Sequence, residues 1–127
     1  MVNGDEISRL LSGLKAELEV LDIEHLPGVR MDCEKFAERL PLATSGVYFL
    51  RSEACGLLYI GKATNIRQRW MPHPLAPFVP QNHRRFEDAL DQGDVMLHYL
   101  ELPQYQLATI ESMLLQMHRP PWNIARG

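Results

Sequence analysis

Apolar positions change period along this chain. Ile7, Leu10, Leu11, Leu14, Leu18 and Leu21 recur at helical spacing with charges between them, which predicts an amphipathic helix over residues 6–21. Pro27-Gly28 interrupts the pattern, and Asp32 is placed to cap a short second helix presenting Cys33, Phe36, Ala37 and Leu40 on one face until Pro41. The spacing then becomes strand-like. Val47, Phe49, Leu57, Leu58 and Ile60 predict a hairpin of residues 46–51 and 57–61 around Ser52-Glu53-Ala54-Cys55. Thr64 caps a predicted helix ending near Met71, beyond which four prolines in residues 72–80 mark a loop. A helix over residues 82–92, a third strand over 95–102 and a helix over 104–117 complete the pattern, with Pro120-Pro121 as the stop.

The hairpin carries the first chemical hint. With four residues in its loop, Tyr48 of Gly46-Val47-Tyr48 falls directly opposite Tyr59 of Tyr59-Ile60-Gly61. Opposed residues of an antiparallel pair share a face, so two phenols stand together beside a basic tail holding Lys62, Arg67 and Arg69. Two tyrosines in strands can also simply pack, because aromatic rings suit a pleated surface.

Charge changes the picture only when it is divided. Residues 1–43 hold five Lys/Arg against nine Asp/Glu, whereas residues 44–127 hold eight against seven, within a net charge of −3. The acid therefore lies mostly ahead of the tyrosines, and the later part has basic clusters at Lys62/Arg67/Arg69 and Arg84-Arg85. A chain of 127 residues suffices for one domain with a core. No apolar run approaches the roughly 20 residues of a membrane span, and no basic segment with an apolar stretch behind it opens the chain. Cys33 and Cys55 lie far apart without a zinc-like spacing, so a reduced pair and a cytoplasmic location are expected.

Glu111 is the single acid of the last predicted helix and falls at the border of its apolar stripe, between Leu107, Leu114 and Leu115. It reads either as a surface glutamate or as a carboxylate placed for a hard divalent ion, which takes oxygen ligands and substrate phosphate. Arg69 reads either as an exposed helix arginine or as a bidentate partner for a phosphoryl group. Lys62 after Gly61 is a solvated lysine or a second phosphate contact. Gly61 permits close backbone approach. His73 and Asn123 say little by themselves.

Together these residues resemble the GIY-YIG endonuclease family. The first motif stands as Gly46-Val47-Tyr48, with valine for the usual isoleucine, and the second is intact as Tyr59-Ile60-Gly61. The stretch from Lys62 to Arg69 is similar to that of the excision-repair incision nucleases. The resemblance covers residues 44–124. It implies an α+β fold, a three-stranded antiparallel sheet flanked by helices over residues 44–127, with residues 1–43 as an extra helical segment.

It further implies a phosphodiester hydrolase using one Mg²⁺ or Mn²⁺ held by Glu111, with Tyr48, Tyr59, Arg69, His73 and Glu111 as the catalytic set. Gly61, Lys62, Asn65 and Asn123 fall on the substrate side, with Asn123 positioning substrate or buttressing Glu111. A tyrosine is the expected general base; the motifs leave open which one, and Tyr48 is favoured, with Tyr59 orienting water or phosphate. The expected partner is nucleic acid, DNA in particular, recognised by structure rather than base sequence. The leucine face of the first helix packs on the nuclease core or forms a homodimer or protein interface. The rival reading is a catalytically silent module that keeps the fold and binds nucleic acid or protein.

Overall fold

A computed structural model describes residues 4–71 and 94–124. The predicted helix over 82–92, the proline-bearing loop, Arg84-Arg85 and His73 lie outside the described residues. The strands are β1 (Gly28–Arg30), β2 (Gly46–Ser52), β3 (Gly56–Ala63) and β4 (Val95–Glu101). The helices are α1 (Gly4–Glu19), α2 (Ile66–Trp70), α3 (Leu107–His118) and α4 (Pro121–Ile124). The four strands form one antiparallel sheet in the order β1-β4-β2-β3. The sheet thus has four strands, not the three expected. The added one, β1, comes from the segment ahead of residue 44 and pairs with β4 from Gly28↔His98 to Arg30↔Met96. Three residues ending in a charged arginine give too short an alternation for the sequence pattern to register as a strand.

Strand β2 lies between β3 and β4, and Val47, Tyr48, Phe49 and Leu50 are all buried. Its alternating side chains feed two cores. Tyr48 and Leu50 join Phe36, Leu40, Ile66, Trp70, Leu97 and Trp122. Val47 and Phe49 join Ile60, Leu18 and the α3 residues Leu107, Ile110 and Leu114. Helix α1 follows the predicted stripe, with Leu18 buried and Leu14 packed beside it, while Leu10 and Leu11 remain exposed.

The hairpin differs from its expected register in two places. Its loop has three residues, closed by Ser52↔Gly56, with Gly56 at φ +74° where a left-handed residue is required. The Asp94 carboxylate accepts from the Glu53 and Ala54 amides at 3.0 and 3.2 Å, and Ser52 Oγ accepts from the Cys55 amide at 2.8 Å. A bulge then shifts the pairing between Leu50↔Tyr59 and Arg51↔Leu57. Tyr48 therefore faces Gly61, not Tyr59. A one-residue slip would move Tyr59 to the other face, but two slips restore the parity. The tyrosines share a face as diagonal neighbours.

Local capping also corrects the sequence reading. Asp32 does not cap a helix; its carboxylate binds the Arg30 guanidinium at 2.9 and 3.0 Å. The following segment is a 3₁₀ turn, Phe36–Arg39, entered through Lys35 at φ 56°. It still buries Phe36, Ala37 and Leu40, as the apolar pattern required. The helix expected over 104–117 begins as a 3₁₀ turn, Gln104–Gln106, before α3. The helix stops at His118, ahead of Pro120-Pro121 as expected, and Pro121 then opens α4, because proline suits a first helical turn. Cys33 and Cys55 are both free thiols. No helix among the described residues is long and apolar enough to cross a membrane.

His98 ties the early segment to the sheet. It is buried, with Nδ1 at 3.1 Å from the Leu26 carbonyl and Nε2 at 3.3 Å from Arg51 Nε. A carbonyl only accepts and a guanidinium only donates, so Nδ1 carries the proton and Nε2 is the acceptor. Replacing His98 by leucine leaves the Leu26 carbonyl and the Arg51 Nε–H without these partners. The expected loss is about 1–3 kcal/mol of stability. Thermal denaturation followed by circular dichroism should show a melting temperature lower by several degrees, and an unchanged melting curve would refute the role given to the ring.

Candidate active site

The site begins with a steric accommodation. Tyr48 lies across Gly61, where an added Cβ would stand 2.5 Å from the phenol Cζ and hydroxyl. Any side chain at position 61 would expel the ring. Gly46 has a similar reason, since its Cβ would strike the Leu100 carbonyl of β4. Trp70 meets the Tyr48 ring edge-on at 5.3 Å and 78°, and Tyr59 stacks beside it at 6.2 Å and 29°. Tyr48 is 1% exposed, whereas Tyr59 is half-buried.

Their environments set their acidities. Burial drives the Tyr48 phenol well above its ordinary range and the Tyr59 phenol beside it adds to the rise, while a hydrogen bond and charge from Arg69 oppose both. Burial also raises Tyr59, followed by the Glu111 carboxylate, against the pull of Arg69 and a hydrogen bond with Tyr48. The Arg69 guanidinium and the Glu111 carboxylate thus both bear on the two hydroxyls.

Helix α2 supplies the guanidinium. Its N-cap is Asn65, not Thr64: Asn65 is extended (φ −145°) and its Oδ1 accepts from the Gln68 amide at 3.1 Å. Asn65, which the resemblance put on the substrate side, thus engages its side-chain oxygen in starting the helix. Exposed Arg69 shares an open hollow with Lys62, Ala63, Thr64, Asn65 and Gln68.

Glu111 arrives from the other side of the sheet. Leu107, Ile110 and Leu114 hold α3 against the Val47/Phe49/Ile60 face, and the Glu111 side chain, 19% exposed, reaches the rim. There its Oε1 lies 3.2 Å from Lys62 Nζ on β3. No group of three or more acidic, histidine or cysteine side chains able to hold a metal is present among the described residues. The donor set still fits a hydrated Mg²⁺ or Mn²⁺. One carboxylate already faces a cation, and Mg²⁺ characteristically takes one or two carboxylates, several waters and substrate phosphate.

Asn123, expected to position substrate or buttress Glu111, has both ends of its amide engaged by the β3 backbone. Its Oδ1 accepts from the Ile60 amide at 2.9 Å and its Nδ2 donates to the Ile60 carbonyl at 2.8 Å. Both ends of the amide serve the free edge of β3, between Tyr59 and Gly61. The sequence reading overlooked Trp70 as the wall against which Tyr48 is set. Its signal was available, since Ile66 and Trp70 are four residues apart and therefore share a helix face.

The catalytic domain of the GIY-YIG family matches residues 44–124. UvrABC system protein C of Gloeobacter violaceus is 32% identical over 105 residues, which is 78% of this chain and 16% of that protein. The protein of the same name from Methanothermobacter thermautotrophicus is 33% identical over 90 residues, 71% of this chain and 15% of its own length. The chain thus spans about a sixth of these curated relatives. The crystal structure of the N-terminal endonuclease domain of UvrC from Thermotoga maritima, a point mutant bound to its catalytic divalent cation, has the same fold. It superposes with a TM-score of 0.53 at 22% identity, over 72% of this chain and 98% of that one. With both motifs, their spacing and their fold accounted for, the chain belongs to the GIY-YIG family and carries its catalytic domain.

Proposed function

We propose that this protein is a divalent-metal-dependent endonuclease that hydrolyses phosphodiester bonds in DNA. The observation that carries the reading is the gathering of Tyr48, Tyr59, Arg69 and Glu111 into mutual electrostatic reach at one rim of the sheet. The DNA substrate and the bound cation are carried over from the UvrC-like relatives. Recognition of structure rather than base sequence follows from the chemistry of the hollow. Lys62 and Arg69 are cations suited to phosphate, and phosphate contacts position a duplex without reading its bases.

Glu111 would hold the ion, which when bound supplies Lewis-acid stabilisation to the leaving oxygen. Arg69 presents a planar fork to the phosphoryl oxygens as negative charge builds there. Lys62 adds a second positive charge on the same side. Tyr59 is assigned the proton of the attacking water, which it takes as the phenolate; Arg69 favours that ionised form, and a cation at Glu111 would offset the burial and carboxylate charge that oppose it. Tyr59 is the more accessible phenol, and the Tyr48 hydroxyl is hydrogen-bonded to it. This reverses the expected order of the two tyrosines. Tyr48 is too deeply enclosed to meet water, and its raised pKa keeps it neutral. It orients Tyr59 and Arg69.

Purified protein should nick supercoiled plasmid or branched DNA with Mg²⁺ or Mn²⁺ and cease with EDTA. Gel retardation without any cleavage would instead support the silent binding module. Glu111→Ala and Arg69→Ala should each lower the nicking rate by on the order of 10²–10³ while leaving the circular dichroism spectrum intact. Wild-type nicking by Glu111→Ala would remove its metal role.

The tyrosines should separate by the same assay. Tyr59→Phe is expected to reduce the rate by about 10²–10⁴, the range for general acid–base catalysis, and Tyr48→Phe by less. The reverse ranking would return the base role to Tyr48. Lys62 competes with a metal ion for Glu111, and an ion pair this exposed is worth about 0.2–1 kcal/mol. Lys62→Met should therefore tighten Mn²⁺ binding by up to roughly fivefold in calorimetric titration, even as it slows cleavage. Unchanged or weaker Mn²⁺ binding would contradict the competition.

A further inference from the structure

Helix α2 is the weakest element to carry so demanding a residue. It has five residues, Ile66–Trp70, far fewer than an isolated helix needs to persist in water. Its orientation, and with it that of Arg69, must come from whatever surrounds it. Asn65 fixes its first turn, and the Ile66 amide donates to the Thr44 carbonyl at 2.9 Å. Ile66 and Trp70 pack in one cluster with Tyr48, Leu97 and Trp122, and a further set of supports comes from residues ahead of the matched catalytic domain. Arg67 Nε donates to the Leu40 carbonyl at 2.9 Å, and Arg67 Nη2 donates to the Glu38 and Leu40 carbonyls at 2.7 and 2.6 Å. Phe36 meets Trp70 edge-on at 6.0 Å, and Trp70 in turn meets Tyr48. Phe36 and Leu40 are buried in the same cluster as Tyr48, Ile66 and Trp70. Strand β1 anchors this segment to the sheet, and the Met31 amide donates to the Val95 carbonyl at 2.9 Å beyond it.

We propose that the 3₁₀ turn Phe36–Arg39 and Leu40 form a positioning element of the nuclease site, acting through Arg67 on Arg69 and through Phe36 and Trp70 on Tyr48. Arg69 lies between Arg67 and Trp70 in the chain, so the two contacts together hold the single helical turn that carries it. Arg67, which the sequence groups with Lys62 and Arg69 as a basic cluster, directs its guanidinium to main-chain carbonyls and not to phosphate. The functional unit accordingly begins before residue 44. The inference rests on the nuclease reading for its kinetic consequence but not for its structural one.

The test uses the full chain with Phe36→Leu, Arg67→Met and Arg67→Lys, each assayed well below its own melting temperature. A displacement of about 1 Å at a reacting group can lower a rate by up to about 10²-fold. Phe36→Leu and Arg67→Met are expected to reduce kcat for plasmid nicking roughly tenfold with KM unchanged. Arg67→Lys, which keeps a donor for the carbonyls, should recover part of the loss. In NMR spectra the Tyr48 ring signals should move in Phe36→Leu although Trp70 lies between the two rings. Unchanged kcat, or a raised KM at constant kcat, would overturn the proposal, the latter by making Arg67 a nucleic-acid contact. If the parent protein does not nick at all, the nuclease reading fails, and unmoved Tyr48 signals then decide separately against the positioning element.

Discussion

The close packing of one phenol against one glycine sets the rest of the site. Tyr48 occupies the volume that a side chain at position 61 would need, and Trp70 closes over its edge. Enclosed in this way, the ring presents its hydroxyl beside Tyr59 and Arg69. The two glycines therefore have different tasks. Gly46 lets β2 approach the β4 backbone at Leu100, and Gly61 makes room for an aromatic ring. Neither of them needs a left-handed backbone, so conformational freedom is not what their positions demand.

Charge is balanced across the sheet edge. Glu111 belongs to a helix on one face and the tyrosines belong to the other, yet its carboxylate raises both phenols. Lys62 and Arg69 offset it from β3 and α2. Arrangements of this kind, with opposed charges beside enclosed phenols, cluster at functional sites because a titratable group there must be tuned.

The sequence made the chemistry more legible than the geometry. The stripe on α3 placed Glu111 at its border, and the strand pattern put the tyrosines on one face. Their register was not legible, because a shorter loop and a bulge are each one-residue events that alternation does not report. They escaped notice by cancelling in parity. Thr64 and Asn65 are adjacent residues with equal capping chemistry, and only the backbone distinguishes them. Strand β1 was hidden by its length, and the support it gives to α2 runs through Arg67 contacts with carbonyl groups. Main-chain acceptors have no sequence signature, so a basic residue bound to them reads like one awaiting phosphate.

The same limitation explains Asn123, and here structure gives the residue type a reason. Strand β3 carries Tyr59, Gly61 and Lys62 while forming an edge of the sheet. An unpaired edge exposes amides and carbonyls and readily shifts or recruits other strands. Asn123 supplies one acceptor and one donor to Ile60, as a neighbouring strand would. An aspartate of the same shape would turn an oxygen toward the Ile60 carbonyl, and a hydrocarbon would satisfy neither group. The amide seals the strand midway between the two residues that define the tyrosine packing. Asn123 thus fixes the backbone of the strand from which Tyr59 and Lys62 project.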